Sequence, residues 1–144
     1  MSGYLLDTVV VSNFVTEPPD RAVIEWLAAV PDEAKFVSAM TLGEVEYGIA
    51  LMPEGARQGR YVAWLEQVRQ AFADRTLPVD GETAAIWGRK LARLRRQWHN
   101  PPAVDLLLAA TAERHGLTVV TRNLRDFRRF DVPVFNPWRR ARSP

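Results

Sequence analysis

Apolar residues fall along this chain in two textures: short runs of three or four bounded by polar residues, and longer stretches in which they recur every three or four positions. The short runs predict strands and the longer stretches amphipathic helices. Residues 4–6 read as a buried strand ending at Asp7, and Val9, Val10, Val11 and Phe14 continue into a turn or short helix. Pro18 and Pro19 interrupt the chain, after which Asp20 can cap a helix with Val23, Ile24, Leu27 and Val30 at helical spacing. Residues 35–38 form a second strand candidate. Thr41 is expected to open the next helix, which carries Leu42, Val45, Ile49 and Leu51 as far as Met52 and Pro53.

Residues 57–73 repeat Tyr61, Leu65, Val68 and Phe72 at helical intervals, and residues 75–79 read as a brief extended link. Asp80 caps a long helix with Ile86, Leu91, Leu94 and Trp98 inward and Arg89, Arg93 and Arg96 on another face. Asn100, Pro101 and Pro102 end it. A nearly all-apolar helix runs from Ala103 through Ala112 and closes at His115 and Gly116, glycine taking its favoured C-terminal position. Residues 117–120 and 132–135 are the last strand candidates. Short strands separated by helices predict an α/β domain with a mainly parallel sheet and helices on both faces. In such sheets the binding crevice lies at the carboxyl ends of the strands.

A length of 144 residues, 47% of them hydrophobic, suits one domain whose core needs no covalent staples. With no cysteine, disulfides, thiolate metal sites and a thiol nucleophile are excluded together. His99 and His115 lack a partner at metal-ligand spacing, so oxygen ligands remain. No run approaches the ~18–20 apolar residues of a membrane span, and the start of the chain lacks the order of a secretory signal, so a soluble cytoplasmic protein is expected. The net charge of +2 conceals an asymmetry. Residues 1–80 hold 6 basic and 12 acidic side chains, whereas residues 81–144 hold 13 basic, twelve of them arginine, and 5 acidic. An arginine-rich half at net +8 suggests a polyanionic partner. Arg89, Lys90, Arg93, Arg95 and Arg96, with Trp98 and His99, could grip an RNA backbone. The simpler account is a solvated basic helix face.

Four acids stand at the mouths of apolar segments: Asp7, Glu44, Asp105 and Asp126. An unpaired carboxylate is costly to bury, so four of them suggest a fold that gathers them around a cation, and oxygen-only ligands suit magnesium or manganese. Each also has a local reading. Glu44 lies three residues after Thr41, the spacing of a capping box. Asp105 falls in a first helical turn, Asp126 could cap the segment beginning at Phe127, and Asp7 could be a turn residue. Arg122 and Arg125 flank the fourth acid and are placed for phosphate.

The order Leu5-Leu6-Asp7-Thr8, Thr41-Leu42-Gly43-Glu44-Val45-Glu46-Tyr47-Gly48, Asp105-Leu106-Leu107-Leu108-Ala109-Ala110 and Thr121-Arg122-Asn123-Leu124-Arg125-Asp126-Phe127 resembles the PIN-domain ribonucleases, in particular toxins of the VapC type. The closing Val134-Phe135-Asn136-Pro137-Trp138 is similar too, so the resemblance spans the whole chain. It implies a single PIN-like domain over residues 1–144; the basic tail at 139–144 is expected from its residues to be disordered. The fold implied is a three-layer α/β/α arrangement around a five-stranded, mainly parallel sheet. The activity implied is that of a magnesium- or manganese-dependent endoribonuclease. By position, Asp7, Glu44, Asp105 and Asp126 would be catalytic, with Asp7 and Asp105 as direct metal ligands and Thr8, Thr121, Arg122 and Asn123 as polar site groups. The family usually forms homodimers and is blocked by a small antitoxin, through which alone it meets DNA.

There are departures. VapC-type chains commonly carry asparagine two residues after the first aspartate, where this one has Val9, and often glutamate where Asn13 stands. Valine cannot hydrogen-bond a carboxylate or phosphate. The alternative is therefore a catalytically weakened PIN-fold module that mainly binds its antitoxin or RNA. A receiver domain, a third small parallel α/β fold, would need an adjacent acid pair after the first strand and a lysine near the last; Leu6-Asp7 and Arg122 supply neither.

Overall fold

The computed structural model describes residues 3–15 and 18–139, so the basic tail expected at 139–144 lies, from residue 140 on, outside the described residues. Five strands form one all-parallel sheet: β1 (Gly3–Leu6), β2 (Lys35–Ser38), β3 (Thr76–Leu77), β4 (Leu117–Val120) and β5 (Val134–Phe135), in the order β3-β2-β1-β4-β5. The helices are α1 (Thr8–Val11), α2 (Arg21–Ala29), α3 (Ala39–Ala50), α4 (Ala56–Ala71), α5 (Gly81–Arg95), α6 (Ala103–His115) and α7 (Leu124–Arg129). Among the described residues no helix is long and apolar enough to cross a membrane.

The alternation of strand side chains divides the core into two layers. Leu6, Val37 and Val120 face a cluster with Val10, Val23, Trp26, Leu42 and Leu65. Leu5 and Val119 face the opposite way, against Leu94, Leu106, Ala109, Phe127 and Phe130. The sheet is therefore covered on both faces, the three-layer α/β/α arrangement expected. Strand order reverses between β1 and β4, the topological switch point at which such folds open a crevice. Their register, Leu6 opposite Val120, ends both strands at one level. That puts Asp7 beside Thr121: the Asp7 N–H donates to the Val120 carbonyl at 3.0 Å.

Several local expectations hold. Asp20 and Asp80 accept from the N–H groups of Val23 and Thr83 and cap α2 and α5, and Gly116 closes α6 at φ 65°. Others are corrected. The extended link at 75–79 contains a strand, β3, and the last strand is confined to Val134–Phe135. Leu51, expected on the apolar face of its helix, is exposed. On α4 only Leu65 is fully buried, while Tyr61, Trp64, Val68 and Phe72 lean against the first cluster as partly buried groups. Lys90, read as part of a basic outer face, is 4% exposed. Its Nζ donates to the Phe130 carbonyl at 2.7 Å and meets Glu113 at 2.6 Å, satisfying a charge that could not otherwise be buried. Trp98 stacks on Phe130, and the Arg129 guanidinium lies over the Trp98 ring. Arg89, Arg93, Arg95 and Arg96 stay exposed.

Candidate active site

Asp7 leaves β1 in an extended conformation and caps α1: its Oδ1 accepts from the Thr8 N–H at 2.7 Å. Its Oδ2 accepts from the Thr121 hydroxyl at 2.7 Å, a bond across 114 residues that only the β1–β4 pairing makes possible. The side chain is thus fixed at both oxygens and buried. Burial pushes its pKa above the ordinary 3.8, against the opposing effect of the Thr121 and Thr8 donors, and the Glu44 charge adds to the rise.

Glu44 is not the partner in a capping box. Helix α3 begins earlier than expected, capped by Ser38, whose hydroxyl oxygen accepts from the Met40 N–H at 3.1 Å. Thr41 is buried inside the helix. The Glu44 carboxylate, freed from the backbone, instead accepts from the Thr8 hydroxyl at 2.6 Å. Thr8 therefore links two acids, its N–H on Asp7 and its hydroxyl on Glu44.

Asp105 does lie in the first turn of α6. Its pKa is pushed up to about 6, first by burial and then by the negative charges of Asp7, Glu44 and Asp126 in that order. Those influences bring all four acids into one neighbourhood. Asp126 is not the cap of α7: Asn123 is, accepting from the Asp126 N–H at 3.3 Å while its amide donates to the Asp126 carboxylate at 3.1 Å. Thr121 also accepts from the Asn123 N–H at 3.0 Å, so one polar chain joins Asp126 through Asn123 and Thr121 to Asp7. Arg122 and Arg125 are exposed, and Arg122 stacks over the Trp138 ring at 4.7 Å.

Among the described residues no three His, Asp or Glu side chains close in to hold an ion unaided. The cup is looser than an all-protein cage, a donor arrangement that suits a hard dication retaining several waters. Of the departures, Asn13 is buried and brackets Asp20, accepting from its N–H at 3.1 Å and donating to its carbonyl at 3.3 Å. Val9 is 47% exposed, and none of the hydrogen bonds that orient the acids passes through it. Sequence reading did not anticipate that Trp138, named in the closing motif, would carry the Arg122 guanidinium.

The PIN domain family model matches residues 4–133. The chain is 38% identical over 135 residues to Toxin FitB of Neisseria gonorrhoeae, covering 93% of this chain and 97% of that one. It is 35% identical over 138 residues to VapC ribonuclease Y4jK of Sinorhizobium fredii, covering 95% and 99%. Among solved structures it superposes with a TM-score of 0.88 on a chain in the structure of FitAB bound to the IR36 DNA fragment, at 36% identity, covering 94% of this chain and 95% of that one.

Proposed function

The chain belongs to the PIN domain family, and from that premise we propose that it is an endoribonuclease, the toxin of a toxin–antitoxin pair, working with magnesium or manganese at its acidic cup. The observation that carries the reading is the gathering of four carboxylates, from the end of β1 and from α3, α6 and α7, whose charges add to burial in raising Asp105 to about 6. A dication relieves that crowding. Asp7 and Asp105 would hold it, with Glu44 and Asp126 on its waters. When bound, the ion supplies a lowered pKa for attacking water and a clamp for charge growing on phosphoryl oxygens.

The chain's own groups keep the acids oriented. Thr8 and Thr121 each donate to Asp7, Thr8 to Glu44 and Asn123 to Asp126. Oriented ligands with hydrogen-bonded supports are what a metal-dependent site requires. Because these supports bypass position 9, they favour the active enzyme over a weakened binding module.

An antitoxin has a suitable surface here. An open cavity of about 470 Å³ lies between α2 and α4, lined by apolar Ile24, Leu27, Ala28, Val68, Ala71 and Phe72. An apolar segment of the antitoxin would cover it, and any DNA contact would come through that partner. A homodimer and a cytoplasmic setting belong to the same reading.

The test is incubation of the purified chain with tRNA, rRNA fragments and mRNA in magnesium, manganese or chelator. Cleavage is expected only with the ions and is lost in Asp7→Asn. Full activity in that variant, or in chelator, refutes the assignment. Monomer alone by light scattering at micromolar concentration removes the homodimer.

A further inference from the structure

A second cleft, of about 330 Å³, opens where the start of α2 meets Val9 of α1 and the residues after β4 and β5. Its walls include Val9, Pro18, Arg21, Arg122 and Trp138. Two of its wall residues are tied to Asp7 along the chain: Val9 lies two residues after it, and Arg122 follows Thr121, the donor to Asp7. Its volume lies at the small end of ligand pockets, roughly 300–1,000 Å³, with space for one nucleotide and not for a duplex.

The chemistry of the walls is divided in the same way as a nucleotide. Val9 and the Trp138 ring offer an apolar, aromatic surface to a base or ribose. Arg122, stacked on Trp138, is held in place while its N–H edge stays free, and it makes no ion pair among the described residues. Arg21 has a side chain 92% exposed and, among the described residues, pairs only with Glu25, at 3.4 Å in an exposed i,i+4 pair too weak to fix it. Among the described residues the one carboxylate lining the cleft, Asp20, is occupied in capping α2.

We propose that this cleft is a nucleotide subsite for single-stranded RNA, with Arg122 and Arg21 taking the phosphate next to the one cleaved and Val9 with Trp138 taking its base or sugar. The inference rests on the ribonuclease reading and deepens it by fixing where the strand runs. A strand crossing four carboxylates is repelled except at the phosphate opposite a bound cation. Its neighbouring phosphate needs positive charge, and this cleft supplies it. The valine that departs from the usual asparagine then becomes an apolar floor.

The experiment measures fluorescence anisotropy of a labelled mixed-sequence RNA hexamer in chelator, where no cleavage occurs, together with steady-state cleavage in magnesium. Arg122→Gln should weaken binding about tenfold and reduce the salt slope by about 0.7, raising KM with kcat little changed. Arg21→Gln should act in the same direction. Arg95→Gln, which removes the same charge from the exposed end of α5, is the control and should leave both unchanged. If Arg122→Gln binds RNA like the parent, or if Arg95→Gln loses as much, the subsite is overturned while cleavage by the parent still upholds the ribonuclease. A parent that neither binds nor cleaves RNA removes both.

Discussion

Replacing Asp105 by asparagine should stabilise the metal-free protein while destroying the site. In the folded chain the carboxyl is raised from 3.8 to about 6 by burial and by three acidic neighbours; in the unfolded chain it returns to its ordinary value. Folding therefore disfavours the ionised form. Stability is greatest where the group is protonated in both states, falls as pH rises from 3.8 through about 6, and stays depressed above that. A displacement of roughly two pH units corresponds to about 3 kcal/mol. Asp105 is only partly buried, so solvent screening reduces this to about 1.5 kcal/mol. For a chain of this size that is about 5 °C in Tm. Asparagine keeps the shape and removes the charge.

The assay is thermal unfolding of both proteins in chelator between pH 4 and 8. The variant should melt higher at pH 8, with the gap closing toward pH 4. Added magnesium should then raise the parent more than the variant. A variant that melts at or below the parent's temperature at pH 8, or a gap indifferent to pH, would refute the idea that the acids repel one another across an empty cup.

Three further outcomes follow from the same geometry. Thr8→Val keeps the backbone N–H on Asp7 but removes the hydroxyl from Glu44; cleavage should fall about 10- to 100-fold with little change in Tm, and undiminished kcat would exclude Thr8 as a positioning residue. Lys90→Met leaves the Phe130 carbonyl unpaired in the core and should cost about 2 kcal/mol in urea unfolding without altering RNA affinity. Ala28→Glu puts a charge on the rim of the apolar cavity, so titration calorimetry against the antitoxin should show a loss of at least about tenfold while RNA cleavage persists.

What could be read from the sequence was whatever depended on near neighbours. The caps at Asp20 and Asp80, the glycine stop at Gly116 and four of the five strands are local patterns, and they formed where expected except that the last strand is shorter. β3 escaped because two half-buried residues at a sheet edge carry no periodicity. The start of α3 was misplaced because Ser38 and Thr41 are both good capping residues, and the end of β2 decides between them. Lys90 was misread because its partner carbonyl lies 40 residues away. The bonds that shape the site span 36 and 114 residues, so no window along the chain could show them. Their meeting was anticipated only indirectly, from the cost of burying four acids at the mouths of apolar segments and from the ordered resemblance of four motifs.

The parallel sheet explains why those distant residues could be brought together at all. Parallel strands point their carboxyl ends to one rim, so the residues following β1 and β4 must emerge side by side once Leu6 pairs with Val120. Helices α3 and α6 bring Glu44 and Asp105 to the same place. There burial and the neighbouring charges disfavour ionisation of Asp105 and Asp7, and the fold tolerates this because the cost is confined to a few side chains at the rim while two apolar layers hold the strands beneath. Stability yielded at this rim is what a cation would restore on binding. For the same reason, variants that relieve the repulsion and variants that only loosen an acid's orientation should separate: the first gain stability and lose the ion, the second keep the ion and lose rate.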